Sequence, residues 1–296
     1  MVAHTSMFGI LKRLRRRRLR RQPFPPAWRA IVERNLPFFA RLSADDREEL
    51  ELLIMIFIAE KSFEGCGGQT IDDEVRVTIA GQACLLLLHR DTDVYPRLDV
   101  LLVYPTAVAV EREQSDGFIV STGRRVHLGE SWTRGMVILS WDHVLSGARN
   151  PDDGDNVTLH ELAHQLDGED GTMDGTPRLA AWARYSSWGA VLSDEYATLR
   201  SKLERGRRSD IDAYGATNEA EFFAVITEMF FEKPVSMRRR HPELYAELQA
   251  FFRQDPASWG GAADGSEAAG DPGATESARR KPRRKSRRTS KPKRRR

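Results

Sequence analysis

The run NVTLHELAHQLDG, residues 156–168, carries His160 and His164 four apart, with Glu161 directly after the first. On a helix turning about 100° per residue, the two histidines lie one turn apart and about 40° from one another, on one face. Two imidazoles so placed can bind one Zn²⁺ through nitrogen, as tetrahedral zinc requires. Glu161 is rotated off that face, beside the position of a water activated by the metal, where it can act as general base. The neighbours Val157, Thr158, Leu162, Ala163, Gln165 and Leu166 are all uncharged, so no competing charge stands beside such a metal. Asp155 or Asn156 can cap the start of the helix, and Gly168 can end it.

A catalytic zinc needs a third protein ligand and an open position. Asp170 lies six residues after His164, the place used by one class of zinc proteases. That class also places a glycine three residues after the second histidine, where this chain has Asp167, with its glycine at 168. The other candidates lie in IDAYGATNEAEFFAVITEMFFEKP, residues 211–234, which carries Glu219, Glu221 and Glu228. This segment predicts a helix beginning near Thr217 or Asn218 and stopping before Pro234. Glu219 and Glu221 sit about 200° apart around its axis, so only one can face a histidine helix packed against it. Glu221 also suits a capping box behind Asn218, and periodicity leaves both carboxylates open. Glu228 follows further along the same helix, whose side bearing Phe222, Val225, Ile226 and Met229 reads as core. Asp167 falls on the histidine face. It can accept a histidine N–H and fix the tautomer, or bond locally at the helix end. The stretch GEDGTMDGTP reads as an ordinary loop rather than a cation site.

These residues must be positioned by a folded part bounded by charged ends. The chain has 296 residues and a net charge of +3. Residues 1–22 hold eight Lys/Arg and no acid, and residues 257–296 hold thirteen Lys/Arg and four acids. Residues 23–256 are therefore acidic, near −14. The basic whole-chain pI accordingly implies no basic face on the fold. The last segment is Gly/Ala/Ser-rich and then basic, with too little apolar surface to offset ordering entropy, and is expected to be disordered. LKRLRRRRLRR can form a basic helix with Ile10, Leu11, Leu14 and Leu19, although a solvated, disordered leader is the expectation for residues 1–23. These ends could touch nucleic acid or an anionic membrane. No folded basic patch with interleaved aromatics supports a nucleic-acid function.

Within the middle, SADDREELELLIMIFIAEKSF predicts a helix with a Ser N-cap. VRVTIAGQACLLLLH, LDVLLVYP and GMVILSW read as strands, and the chain after 156 reads as helical. Strands followed by helices predict an α+β class rather than alternating βαβ units, with a helical N-terminal part. His127 and His143 lack ligand spacing, and Trp132 and Trp141 read as packing residues. Cys66 reads as an inert thiol in a glycine turn. The two cysteines, Cys66 and Cys84, and the want of a secretory leader predict a cytoplasmic address.

Residues from about 75 to 256 resemble the Mlc titration factor A family of zinc metallopeptidases. The likeness is carried by IAGQACLLLL, VLLVYP, GESWTRGMVILSW, HELAHQLDGEDGTMDGTP, IDAYGATNEAEFFAVITEMFFEKP and HPELYAELQAFFRQDP. The catalytic core of that family is similar to the anthrax lethal factor protease domain. With this likeness the chain is expected to hold a zincin-like domain over 24–256, and the basic leader at 1–23 and the basic tail at 257–296 lie outside the resemblance. The resemblance implies His160, His164 and Glu221 as zinc ligands, a catalytic part for Tyr214, and peptidase activity with aminopeptidase character. The implied partners are a peptide or protein substrate and, as the alternative to catalysis, a transcriptional repressor captured by the folded domain.

Overall fold

The computed structural model describes residues 7–106 and 135–259. His127, Trp132 and the basic tail beyond Trp259 lie outside the described residues. Helices dominate: α1 (Met7–Leu19), α2 (Pro26–Asn35) and α3 (Ala44–Glu60) precede the first strand, β1 (Ser62–Gly65). Then follow α4 (Asp73–Leu85), β2 (Val100–Tyr104), β3 (Met136–Ser140), α5 (Trp141–Arg149) and α6 (Val157–Asp167). The chain continues through α7 (Arg184–Glu204), α8 (Glu219–Glu232), α9 (Pro234–Arg240) and α10 (Pro242–Phe252). The class is α+β, rich in helix, with a small sheet. None of the described helices is long and apolar enough to cross a membrane.

The three strands pair in the order β1-β2-β3, all parallel, with Phe63 opposite Leu101 and Leu101 opposite Val137. Leu101, Val103, Val137 and Leu139 alternate inward onto the helices, as the two-residue strand period requires. β3 is an edge among the described residues, and it runs directly into α5.

Helix starts follow the sequence chemistry. Ser43 accepts the Asp46 N–H at 3.1 Å at the head of α3, whose first turn carries Asp45 and Asp46. The segment VRVTIAGQACLLLLH, expected as a strand, instead forms the helix α4 and its following turn. Asp72 accepts the Val75 N–H at 2.9 Å, Asp73 and Glu74 occupy the first turn, and every residue from Val75 to Leu85 except Arg76 is buried. α4 packs against α2, α3, α5 and α6. A helix enclosed on all sides has no polar face, so its apolar run loses the 3.6-residue signature and reads like a buried strand. With α4 helical, β1, α4 and β2 make a strand–helix–parallel strand crossover of the alternating kind that was not expected.

The N-terminal leader also differs from expectation. Residues 7–19 form α1, which lies on α3 and is held there by ion pairs. Arg16 pairs with Glu60 at 2.7 Å and with Asp93, and Lys12 reaches Asp93 at 2.8 Å. Acids on the folded body give the leader's charge a docking place that local composition does not reveal. At the other end, packing continues past 256: Ala257 and Trp259 lie against the core, and Trp259 meets Phe231 at 6.2 Å between ring centroids.

The back of α8 is an aromatic layer. Phe230 stacks on Phe252 at 5.5 Å, Phe223 meets Trp188 at 5.9 Å, and Phe231 meets Phe252 at 5.0 Å. Such pairs fix the rotation of α8 about its own axis, and with it the direction of the carboxylates on its opposite face.

Candidate metal centre

α6 and α8 face one another and carry the chemistry. Asn156 caps α6, its side-chain oxygen accepting the Thr158 and Leu159 N–H groups at 3.1 Å each. Every residue of α6 from Thr158 to Asp167 is buried. Asn218 caps α8 and accepts the Glu221 N–H at 2.9 Å, which is half of a capping box. The other half does not form at Glu221: its carboxylate turns to the imidazoles. Glu221 Oε2 lies 3.0 Å from His160 Nε2 and 3.3 Å from His164 Nε2, and the two Nε2 atoms are 3.3 Å apart. Burial would raise the Glu221 carboxyl, but its hydrogen bonds to His160 and His164 hold it well below the usual carboxylate range.

His160 is oriented from behind. Its Nδ1 is 2.7 Å from Glu228 Oε1, while Glu228 Oε2 accepts the Asn156 N–H at 2.6 Å. A carboxylate at Nδ1 places the imidazole proton there and leaves Nε2 with its lone pair toward Glu221. A nitrogen lone pair and a carboxylate oxygen at 3.0 Å repel unless a proton or a metal cation lies between them, so the hydrogen bond to Glu221 holds only while the His160 ring is doubly protonated.

Three observations fit a metal ion to these residues. His160, His164 and Glu221 offer ligand atoms all within 4.8 Å of one another. Bonds of ~2.0–2.1 Å to a tetrahedral centre separate neighbouring donors by about 3.3–3.4 Å, close to the spacing of the two imidazole nitrogens. The surroundings are also rich in acid: Glu161, Asp167, Glu221, Glu228 and Glu232 are buried on the two facing helices, a setting that suits a cation. Glu232 shows the strain of that balance. Burial pushes it up to about 8, helped by the nearby Glu228, although Asn156 Nδ2 donates to it at 2.9 Å.

The other sequence-predicted residues separate cleanly. Glu161 follows His160 on α6 and is buried beside it. Tyr214, half-buried in the 3₁₀ turn Ala213–Ala216, holds its ring 5.8 Å from the His160 ring at a 46° tilt. Asp212 caps that turn by accepting the Tyr214 N–H at 2.8 Å, and the turn packs on α8. Asp167 accepts the Gly175 N–H at 2.9 Å, so its observed bond is to the following loop. Burial lifts the Asp167 carboxyl to about 7 against that bond. Asp170 is exposed and turned into its own loop, taking the Thr172 N–H at 2.9 Å and hydroxyl at 2.8 Å. Glu219 is exposed at the start of α8. His143 bonds Ser140 at 2.9 Å, and Trp141 packs on the core.

Sequence reasoning assigns Glu228 no part in the site. Its signal was available: Glu228 lies seven residues after Glu221, two turns along the same face of α8.

A helix-rich α+β chain with a buried His–His–Glu cluster between two facing helices fits the class of metal-binding proteins. The chain is a member of the glucose-regulated metallo-peptidase M90 family, whose model matches residues 11–253. It is 44 % identical over 244 residues to the "Uncharacterized protein slr2042" of Synechocystis, covering 82 % of this chain and 89 % of that protein. It is 30 % identical over 235 residues to the Mlc titration factor A of Cronobacter sakazakii, covering 78 % of this chain and 87 % of that one. The Mlc titration factor A of Escherichia fergusonii is also 30 % identical, over 224 residues, covering 75 % and 84 %.

Proposed function

We propose that the chain is a zinc-dependent peptidase of cytoplasmic address and aminopeptidase character, with His160, His164 and Glu221 as the metal ligands. The observation that supports this most directly is the meeting of two imidazole nitrogens and one carboxylate oxygen at 3.0–3.3 Å, with Glu228 bonded to the far nitrogen of His160. Two neutral nitrogens and one carboxylate are a donor set that suits zinc. The chemistry a zinc ion supplies when bound is polarisation of the scissile carbonyl and acidification of a water. Glu161 takes the proton of the attacking water and passes it to the leaving amine. Tyr214, beside the His160 ring, donates its phenol to the developing oxyanion, a contribution of about 2.7–4 kcal/mol at comparable sites. β3, an edge among the described residues, aligns an extended peptide as an added strand. Asp167 keeps the histidine helix in place through the loop it holds.

A second reading is favoured by the name of the relatives, Mlc titration factor A, which says that they titrate Mlc. In it the folded domain captures a regulatory protein and need not cleave it. The basic ends reach nucleic acid or an anionic membrane in either case.

One experiment separates the two. Glu161→Gln is expected to retain stoichiometric zinc and lose ~10²–10⁴-fold in peptide turnover, the usual share of a general base. Metal analysis beside an assay on blocked and free-amine peptides reads both quantities. Cleavage at the parent rate would sink the mechanism, whereas capture of a regulator survives the substitution.

A further inference from the structure

α1 has two faces with different fates. Lys12, Arg16 and Leu19 are partly covered on the side that meets α3 and the acids Glu60 and Asp93. The opposite side carries Ile10, Leu11 and Leu14 at 49, 56 and 55 % exposure. Trp182 and Val235 are the only other exposed large apolar residues among those described, so three of five stand together on one helix. Their spacing is not scattered. Ile10 and Leu14 are one turn apart, as are Leu11 and Leu14, so the three form one patch. At about 100° per residue, Arg13 and Arg17 flank that patch on one side and Arg15 on the other, and Arg18 follows Leu14 one turn further along the same face. All four arginines are exposed. Arg20 and Arg21 continue the basic run beyond the helix.

We propose that this outward face of α1 is a docking surface for an anionic lipid membrane. An aliphatic patch rimmed by arginines suits the headgroup boundary: the aliphatic groups enter the acyl edge while the guanidinium groups remain at the phosphates. Charge complementarity selects the occupant. In the chain's own tail, residues 279–296 are basic and are repelled by this face, and residues 260–278 are acidic but hold no large apolar side chain to cover the aliphatic patch. Two copies cannot pair through this face without opposing their arginines. A nucleic acid would use the arginines, but it offers the three aliphatic side chains nothing to bury against along its phosphates. The ion pairs of Lys12 and Arg16 fix the opposite side to the body, so the membrane face is presented rather than dangling. The body over residues 23–256 is acidic and is repelled by the same surface, which makes the docking oriented and salt-sensitive.

The test uses the full chain and co-sedimentation with vesicles of phosphatidylcholine mixed with phosphatidylglycerol, against vesicles of phosphatidylcholine alone. The parent is expected to bind the mixed vesicles and to be released by salt. The triple variant Ile10→Ser, Leu11→Ser, Leu14→Ser keeps every charge and is expected to lose at least ~10-fold in binding. The single variant Leu14→Asp, which places an acid at the centre of the patch, should lose as much. Arg13→Gln with Arg17→Gln should also weaken binding and flatten its salt dependence. Unchanged unfolding temperatures would separate these losses from misfolding. Equal binding by the triple serine variant would assign the affinity to the basic tail and overturn the proposal. So would binding to phosphatidylcholine alone that matches the mixture, binding to duplex DNA without vesicle binding, or self-association in light scattering that the serine variant abolishes.

Discussion

At the scale of single residues, His160 is held between two carboxylates of one helix, Glu221 at Nε2 and Glu228 at Nδ1, at 3.0 and 2.7 Å. The second contact decides what the first can do, because the atom that keeps the proton cannot be a ligand. Glu228 also accepts the Asn156 N–H, so a carboxylate there serves two donors at once. Glu228→Gln retains the shape but offers only one acceptor. Its amide opposes either the Asn156 N–H or the Nδ1 proton. Metal affinity, measured by competition with a chelator, is expected to fall about 10–100-fold, with the fold intact by circular dichroism. Affinity equal to the parent would make Glu228 a purely structural residue. The placing of His160, Glu161 and His164 on one helix was legible from spacing alone, since helical geometry is local. The choice among Glu219, Glu221 and Asp170 was not, because it depends on how α8 is rotated against α6. Glu228 was overlooked for the same reason: a carboxylate two turns from another becomes a partner only when the facing helix is known.

At the scale of elements, Gly175 joins three of them. Its N–H reaches Asp167 at the end of α6 at 2.9 Å, its carbonyl accepts from Trp188 Nε1 of α7 at 3.1 Å, and it lies against the start of α8. Its φ is +76°, and an added Cβ would stand 2.5 Å from the Glu219 carbonyl oxygen. Both the conformation and the close approach to backbone require glycine. Gly175→Ala is therefore expected to cost about 1–3 kcal/mol in thermal or denaturant unfolding. It should also weaken metal binding, since relief of the clash pushes Glu219 and the first turn of α8, with Glu221, away from the histidines. An unchanged unfolding midpoint would show that the loop yields freely. The loop itself was readable from its glycines and proline, but this threefold junction was not, because its partners lie on helices far apart in sequence. α4 shows the opposite difficulty. Its caps were present in the sequence as Asp72, Asp73 and Glu74, yet burial on every side erased the periodicity that distinguishes helix from strand.

At the scale of the whole molecule, buried histidines serve two different ends. His160 and His164 face a carboxylate and one another, whereas His241 joins distant parts of the chain. Its Nδ1 lies 2.9 Å from Glu195 of α7 and its Nε2 3.1 Å from Asp210 in the loop before α8, at the head of α10. Arg240 also reaches Asp210, at 3.3 Å. The hydrogen bond to Glu195 raises His241 above its ordinary value of 6.5, against burial and together with the charges of Glu195 and Asp210. A histidine whose folded pKa is raised adds stability that is fully present below its unfolded pKa and is lost as pH rises through the folded one. The bracing of α7, α10 and the intervening loop is thus strongest in mild acid and weakens through neutral and alkaline pH. His241→Gln removes the charge while retaining hydrogen-bonding capacity. The difference in unfolding temperature between parent and His241→Gln is expected to be largest near about pH 5.5 and to shrink toward about pH 8.5. A difference that stays constant or grows with pH would mean that His241 is neutral in the folded chain, and that the two acids hold it only by shape.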